Sequence, residues 1–264
     1  MSKSIMTLLV GTTFVFSCNA QLSEEYSIDG SFDFIDFDNL FNVYGVKNTE
    51  VFKYRSDGSF AFRYSDEQLG TVGAIDVTYP LRPIIMYPEL NYLCLLDNTL
   101  SNNRGRINLL TKSIDNGLLS CSSVQNHFWF YDGMSFSLIR MNENFGEVAR
   151  TGNLSQVLRI ELNPNFMVEF ANRIYLNNPE TGILVFDIFG TYIKTIPITG
   201  LNRFQIFENG LGYFKNHTLY LYNTQDYSEK EIKLPVECSQ ALIFKNRIAG
   251  LQKEKITVWE VLQP

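Results

Sequence analysis

A short aromatic-aliphatic strand, a polar turn and a second strand recur along this chain, and that repetition restricts the fold more than any other feature. Residues 51–54 pass through Ser56-Asp57-Gly58-Ser59 into residues 60–64. Residues 136–140, 183–187 and 219–222 each lead through a polar turn to a second strand in the same way. Residues 107–110 followed by 112–115 read as a weaker copy, and residues 256–261 end the chain on a strand of the same type. Asp-Gly between two alternating runs is a hairpin signal, because glycine reaches positive φ without steric cost.

Anchors at Val51, Ile107, Phe136, Ile183, Leu219 and Ile256 lie 56, 29, 47, 36 and 37 residues apart, with a mean of 41. That is the length of one four-stranded propeller blade. The pattern predicts an all-β fold, a six-bladed β-propeller. The long first interval is assigned to an Asn- and Ser-rich insertion at 97–106, and the short second one to a trimmed blade. The last blade has no outer strand of its own. Residues 26–32 are expected to supply it, so that the N- and C-terminal strands pair and no sheet edge is left free. Only residues 153–162 read as a short helix. A pair of β-sandwiches or a large open barrel is the structural alternative.

Composition agrees. Aromatic residues reach 14%, a bias that suits pleated surfaces. The formal charge is −6 and Lys and Arg form no cluster, which argues against a nucleic-acid partner.

The first residues read as a targeting signal, with Lys3 as the positive region and residues 5–16 as an apolar run too short to span a membrane. Two processing outcomes are open. Val15-Phe16-Ser17-Cys18 has the form of a bacterial lipobox, which would make Cys18 the lipidated N-terminus. Cys18-Asn19-Ala20 is also a small-residue cleavage site, which would leave Gln21 first. The lipobox is favoured. The division expected is a signal peptide at 1–17, a polar tether at 18–25 and one propeller domain at 26–264. Membrane contact would then run through the lipid anchor only. The address expected is the periplasmic side of a Gram-negative outer membrane.

Residues that carry chemistry are sparse. Cys94, Cys121 and Cys238 lack zinc-site spacing and read as small core residues, with a single disulfide left open. His127 and His217 sit beside strands without a nucleophile motif. Asp29, Asp33, Asp36 and Asp38 are dense enough for calcium or a glycosidase pair. They read more simply as a strand with one solvated face that ends in a turn. Arg104-Gly105-Arg106 reads as a solvated loop. No catalytic, metal or cofactor residue is assigned. The expectation is a non-enzymatic binding module. The alternatives are a propeller enzyme acting on carbohydrate or peptide through channel-mouth carboxylates, and a structural envelope lipoprotein.

Several stretches also resemble a known family. They are residues 34–40, residues 96–101, Trp129-Phe130-Tyr131-Asp132, residues 161–166 and the long run 176–197, which begins Leu176-Asn177-Asn178-Pro179-Glu180-Thr181-Gly182. Together they resemble a periplasmic propeller family of the Bacteroidota, one that includes the plug subunit of the type IX secretion translocon. The resemblance implies a propeller that gates a protein-secretion channel. Its partner would be a large outer-membrane protein complex. The resemblance carries over no catalytic residue.

Overall fold

The computed structural model describes residues 21–262. Within them, 24 strands form six antiparallel sheets of four, and each sheet is one blade. The first blade is β2 (Phe34–Phe37), β3 (Val43–Lys47), β4 (Glu50–Tyr54) and β5 (Phe60–Ser65), preceded in the chain by β1 (Gln21–Asp29). The second is β6 (Ala74–Asp76), β7 (Ile84–Tyr87), β8 (Tyr92–Leu95) and β9 (Arg106–Asn108). The third is β10 (Gly117–Ser123), β11 (His127–Asp132), β12 (Ser137–Met141) and β13 (Glu147–Arg150). The fourth is β14 (Phe166–Phe170), β15 (Arg173–Asn178), β16 (Gly182–Asp187) and β17 (Tyr192–Ile196). The fifth is β18 (Phe204–Phe207), β19 (Gly210–Lys215), β20 (Thr218–Asn223) and β21 (Glu229–Lys233). The sixth is β22 (Gln240–Phe244), β23 (Arg247–Leu251) and β24 (Lys255–Leu262), completed by β1.

The expected closure is present. β1 pairs antiparallel with β24 from Gln21↔Leu262 to Asp29↔Lys255, with a bulge between Glu24 and Tyr26. The strand begins at Gln21, so residues 21–25 belong to the sheet and not to a tether as the sequence reading had it. It stops before Gly30, whose φ of +139° turns the chain into the first blade. Cys18 lies outside the described residues.

One anchor is corrected. Ile107 belongs to β9, an outer strand, and residues 109–112 are a 3-10 helix, not the second strand of a hairpin. The third strand of that blade is β8. With Tyr92 in place of Ile107 the intervals become 41, 44, 47, 36 and 37. No blade is trimmed. The insertion is real but lies between the third and fourth strands of the second blade. The short helix is α1 (Leu154–Leu158), whose N-cap Asn153 accepts a hydrogen bond from the Gln156 N–H.

The core is divided. Six apolar clusters lie among the described residues, and each joins two neighbouring blades. One joins Ile84, Met86 and Leu93 to Phe128, Phe130 and Ile139. Another joins Ile35 and Val43 of the first blade to Leu242, Ile256 and Val258 of the last. Successive side chains of a strand face opposite neighbours, so the middle strands are buried on both faces and lose the usual alternation. The first strands form the inner ring, with β2 against β22 and both β6 and β14 against β10.

This meander has two ends. At the hairpin end lie the turns from first to second strand and from third to fourth. At the crossover end lie the second-to-third turns and the links between blades. Asp97, Asn142 and Asp187 close third-to-fourth turns alike, each side chain accepting two backbone N–H groups.

Candidate functional site

The inner strands are short and apolar, yet each carries a polar side chain near its middle or end. Most of these join neighbouring blades. Gln205 on β18 exchanges two hydrogen bonds with the Ile243 backbone on β22, at 3.0 and 2.8 Å. Gln240 on β22 does the same with Ile35 on β2. Asp76 on β6 accepts from the Ser122 N–H of the third blade and from its own loop at Thr78. Glu169 on β14 accepts from the Val124 N–H and, at 2.7 Å, from the Trp129 indole. Asp76 and Glu169 are buried and the two glutamines half-buried, and all four are hydrogen-bonded.

The fifth case reaches further. Arg203, just ahead of β18, donates to Asp36 on β2 at 2.8 Å, past the sixth blade. Its guanidinium lies 5.1 Å from the Phe34 ring centroid and 4.9 Å from that of Phe166. It therefore touches the first, fourth and fifth blades at the crossover mouth of the channel. Cavities of about 260 and 240 Å³ lie on its two sides. Burial raises the Asp36 carboxyl above its ordinary value, against the pull of Arg203.

The acidic run is split: Asp29 and Asp33 are exposed, as a solvated face predicts, while Asp36 and Asp38 turn into the structure. Asp36 is on the innermost strand and held by Arg203, and Asp38 is buried. Asp38 closes the turn to β3, accepting from the Leu40 and Asn42 backbone and from the Tyr44 hydroxyl. Asp33 receives the Asn48 N–H, and Asp29 ends β1. No group of three or more metal-ligating side chains occurs among the described residues. His127 opens β11, and burial lowers its pKa. His217 sits on an exposed turn two blades away, 3.9 Å from Glu237. The two share no site. Arg104 and Gly105 lie on an exposed loop as expected, and Arg106, also exposed, opens β9 and forms a two-pronged pair with Asp66 at 2.7 and 2.8 Å.

The three cysteines are free and buried. Cys94 lies in the core between the first and second blades, Cys121 between the third and fourth, and Cys238 between the fifth and sixth. Burial raises all three thiol pKa values, to about 11 for Cys238.

Large apolar side chains stand exposed at both ends, Leu40, Leu81, Phe189 and Tyr227 on hairpin-end turns and Leu90, Leu110, Met134 and Val157 at the crossover end, but the open grooves described next lie at the hairpin end. Between the fifth and sixth blades an open groove of about 380 Å³ has Phe207, Leu211, Leu221 and Ile243 as its apolar walls, with Lys245 and Glu208 at its rim. Between the fourth and fifth blades a second, of about 280 Å³, is bordered by Phe170, Arg173, Lys194 and Ile206. The two share the β18–β19 turn, with Phe207, Glu208, Gly210 and Leu211 common to both. Sequence reasoning missed Arg203, the two glutamines and these grooves. The available signal was a polar residue inside an otherwise apolar run, as in Phe204-Gln205-Ile206-Phe207.

No family model and no curated protein matches the sequence. Solved structures do match. The WD40 domain of Neurospora crassa Pan2 superposes with a TM-score of 0.61 at 9% identity, covering 92% of this chain and 96% of its own. BBS1N, from its complex with ARL6DN, gives 0.59 at 7%, covering 93% and 98%. A streptogramin B lyase gives 0.55 at 13%, covering 86% and 78%. At such identities the likeness shows the fold alone, and with the strand topology it establishes that this chain is a six-bladed β-propeller.

Proposed function

We propose that this propeller is a non-enzymatic, protein-binding module of the bacterial envelope. One observation carries the reading: the inner-strand carboxylates are held by the framework, while open grooves with apolar walls lie at the hairpin end. Both oxygens of Asp36, Asp76 and Glu169 accept hydrogen bonds from the framework. Carboxylates tied into the framework in this way are poorly placed to serve as a general acid or base at the channel mouth. The matched BBS1N structure is a complex with another protein, and rigid blades with variable turns suit such recognition.

The finer reading is a periplasmic propeller, lipidated at Cys18, that plugs or gates a protein-secretion channel in the outer membrane. The resemblance of residues 34–40 and 176–197 to the secretion-plug family supports it. The pairing of Gln21 with Leu262, which sets the first described residue at the hairpin end on the same side as the open grooves, is consistent with it. The test is affinity purification from native membranes through a carboxyl-terminal tag. Recovery of a large outer-membrane β-barrel complex is expected. Recovery of the protein alone in mild detergent would overturn the reading.

A further inference from the structure

We infer that the twin grooves flanking the β18–β19 turn bind an extended peptide segment of the partner that pairs acidic with aromatic or aliphatic residues. The inference rests on the protein-binding reading and names the surface and the ligand chemistry. The apolar walls come from Phe170 and Ile206 on one side of the turn, and from Leu221 and Ile243 on the other. Both are open from the hairpin end. Alternate side chains of an extended segment entering them fill successive pockets.

Charge selects the ligand. The whole chain carries a net charge of −6, yet the groove rims present Arg173, Lys194 and Lys245 against one carboxylate, Glu208. None of the three cations has an acidic partner within 4.0 Å among the described residues. Lys245 is held in place by the rings of Phe41 and Phe244, 5.0 and 5.5 Å from its ammonium. An acidic segment thus meets cations that have no internal partner to lose, which favours association and disfavours basic competitors. Glu208 decides between a peptide and an anionic lipid. Its carboxylate accepts no hydrogen bond among the described residues and sits between the two grooves. A polypeptide offers backbone N–H groups there, whereas a fatty acyl chain offers none.

The test is selection from a random dodecapeptide display library against the purified domain. The winning peptides are then titrated by fluorescence anisotropy. Enriched sequences should alternate Asp or Glu with Phe, Tyr or Leu. Affinity should fall at least tenfold in Lys245→Glu and in Arg173→Glu/Lys194→Glu, and stay within twofold in Lys230→Glu on β21. Lys245→Gln, which keeps the stem on Phe41, should show an intermediate loss. Absence of enrichment, enrichment of basic peptides, or binding indifferent to the groove variants would overturn the inference. Membrane purification with Lys245→Glu separates the two readings. If wild type and variant recover the same complex, the module binds protein by another face. If wild type recovers nothing, the protein-binding reading itself fails.

Discussion

Gln240 and Ile35, 205 residues apart in the chain, exchange two hydrogen bonds of 2.9 Å across the seam where the last blade meets the first. The Gln240 side-chain amide donates to the Ile35 carbonyl, and the Ile35 N–H donates to the Gln240 carbonyl oxygen. A side chain thereby does for the inner ring what β1 does for the outer one.

Gln240→Leu leaves both Ile35 backbone groups without their side-chain partners beside a buried Ile35. A loss of about 2–4 kcal/mol is expected, since each orphaned buried group costs about 1–3 kcal/mol. Gln205→Leu should cost a similar amount at the seam between the fifth and sixth blades. Urea denaturation of the two variants checks this, and a loss below about 0.5 kcal/mol would show that the seam does not depend on the amide.

Closure by β1 is open to a separate test. Ser27→Pro removes a donor from the strand that pairs with β24 and restricts the backbone beside Ile28, which is buried in the core between the last and first blades. Detachment of β1 exposes the edge of β24, so size-exclusion chromatography with light scattering should show concentration-dependent association. A monomer of unchanged melting temperature would mean that β24 tolerates a free edge.

The Asp36–Arg203 pair sets a pH dependence. The folded pKa of Asp36 lies above its ordinary 3.8, burial being the largest cause. The folded state thus binds the proton more tightly than the unfolded chain. The contribution of this group to stability falls as pH rises from 3.8 through its folded pKa, and is flat above that. Denaturation of wild type and Asp36→Asn at stepped pH should show wild type gaining on the variant toward acid. A gain toward neutral pH would mean that the attraction of Arg203 outweighs burial.

The thiols make a fourth prediction. Cys94, Cys121 and Cys238 are buried in three different inter-blade cores, with pKa values raised by burial. A thiol-disulfide indicator at pH 8 should label none of them in the folded domain over minutes and all of them in denaturant, because the reactive form is the thiolate. Fewer labelled thiols in denaturant, restored by a reductant, would reveal a disulfide.

Much of the blade plan was legible. Hairpins such as β4–β5, β14–β15 and β22–β23 are marked by local turn residues, and Asp57-Gly58 or Asn246 act on neighbours within a few positions. The second blade misled because β8 is buried on nearly every residue, while Arg106-Ile107-Asn108 on β9 carries the alternation of an exposed edge. An outer strand looks more like a strand than a middle one does.

The sequence by itself determined the class of fold, the number of blades, the short helix and the means of closure. Each depends on hydrophobic period and turn chemistry, which act over a few residues and repeat. Only the tertiary structure decided which strand of each blade lines the channel, that Asp36 meets Arg203 across 167 positions, and that Phe207 and Lys245, 38 positions apart, line one groove. Those relations follow from radial position in a closed ring. Ring closure buries both faces of the middle strands and brings distant polar groups within hydrogen-bonding reach, and no local pattern of residues encodes it.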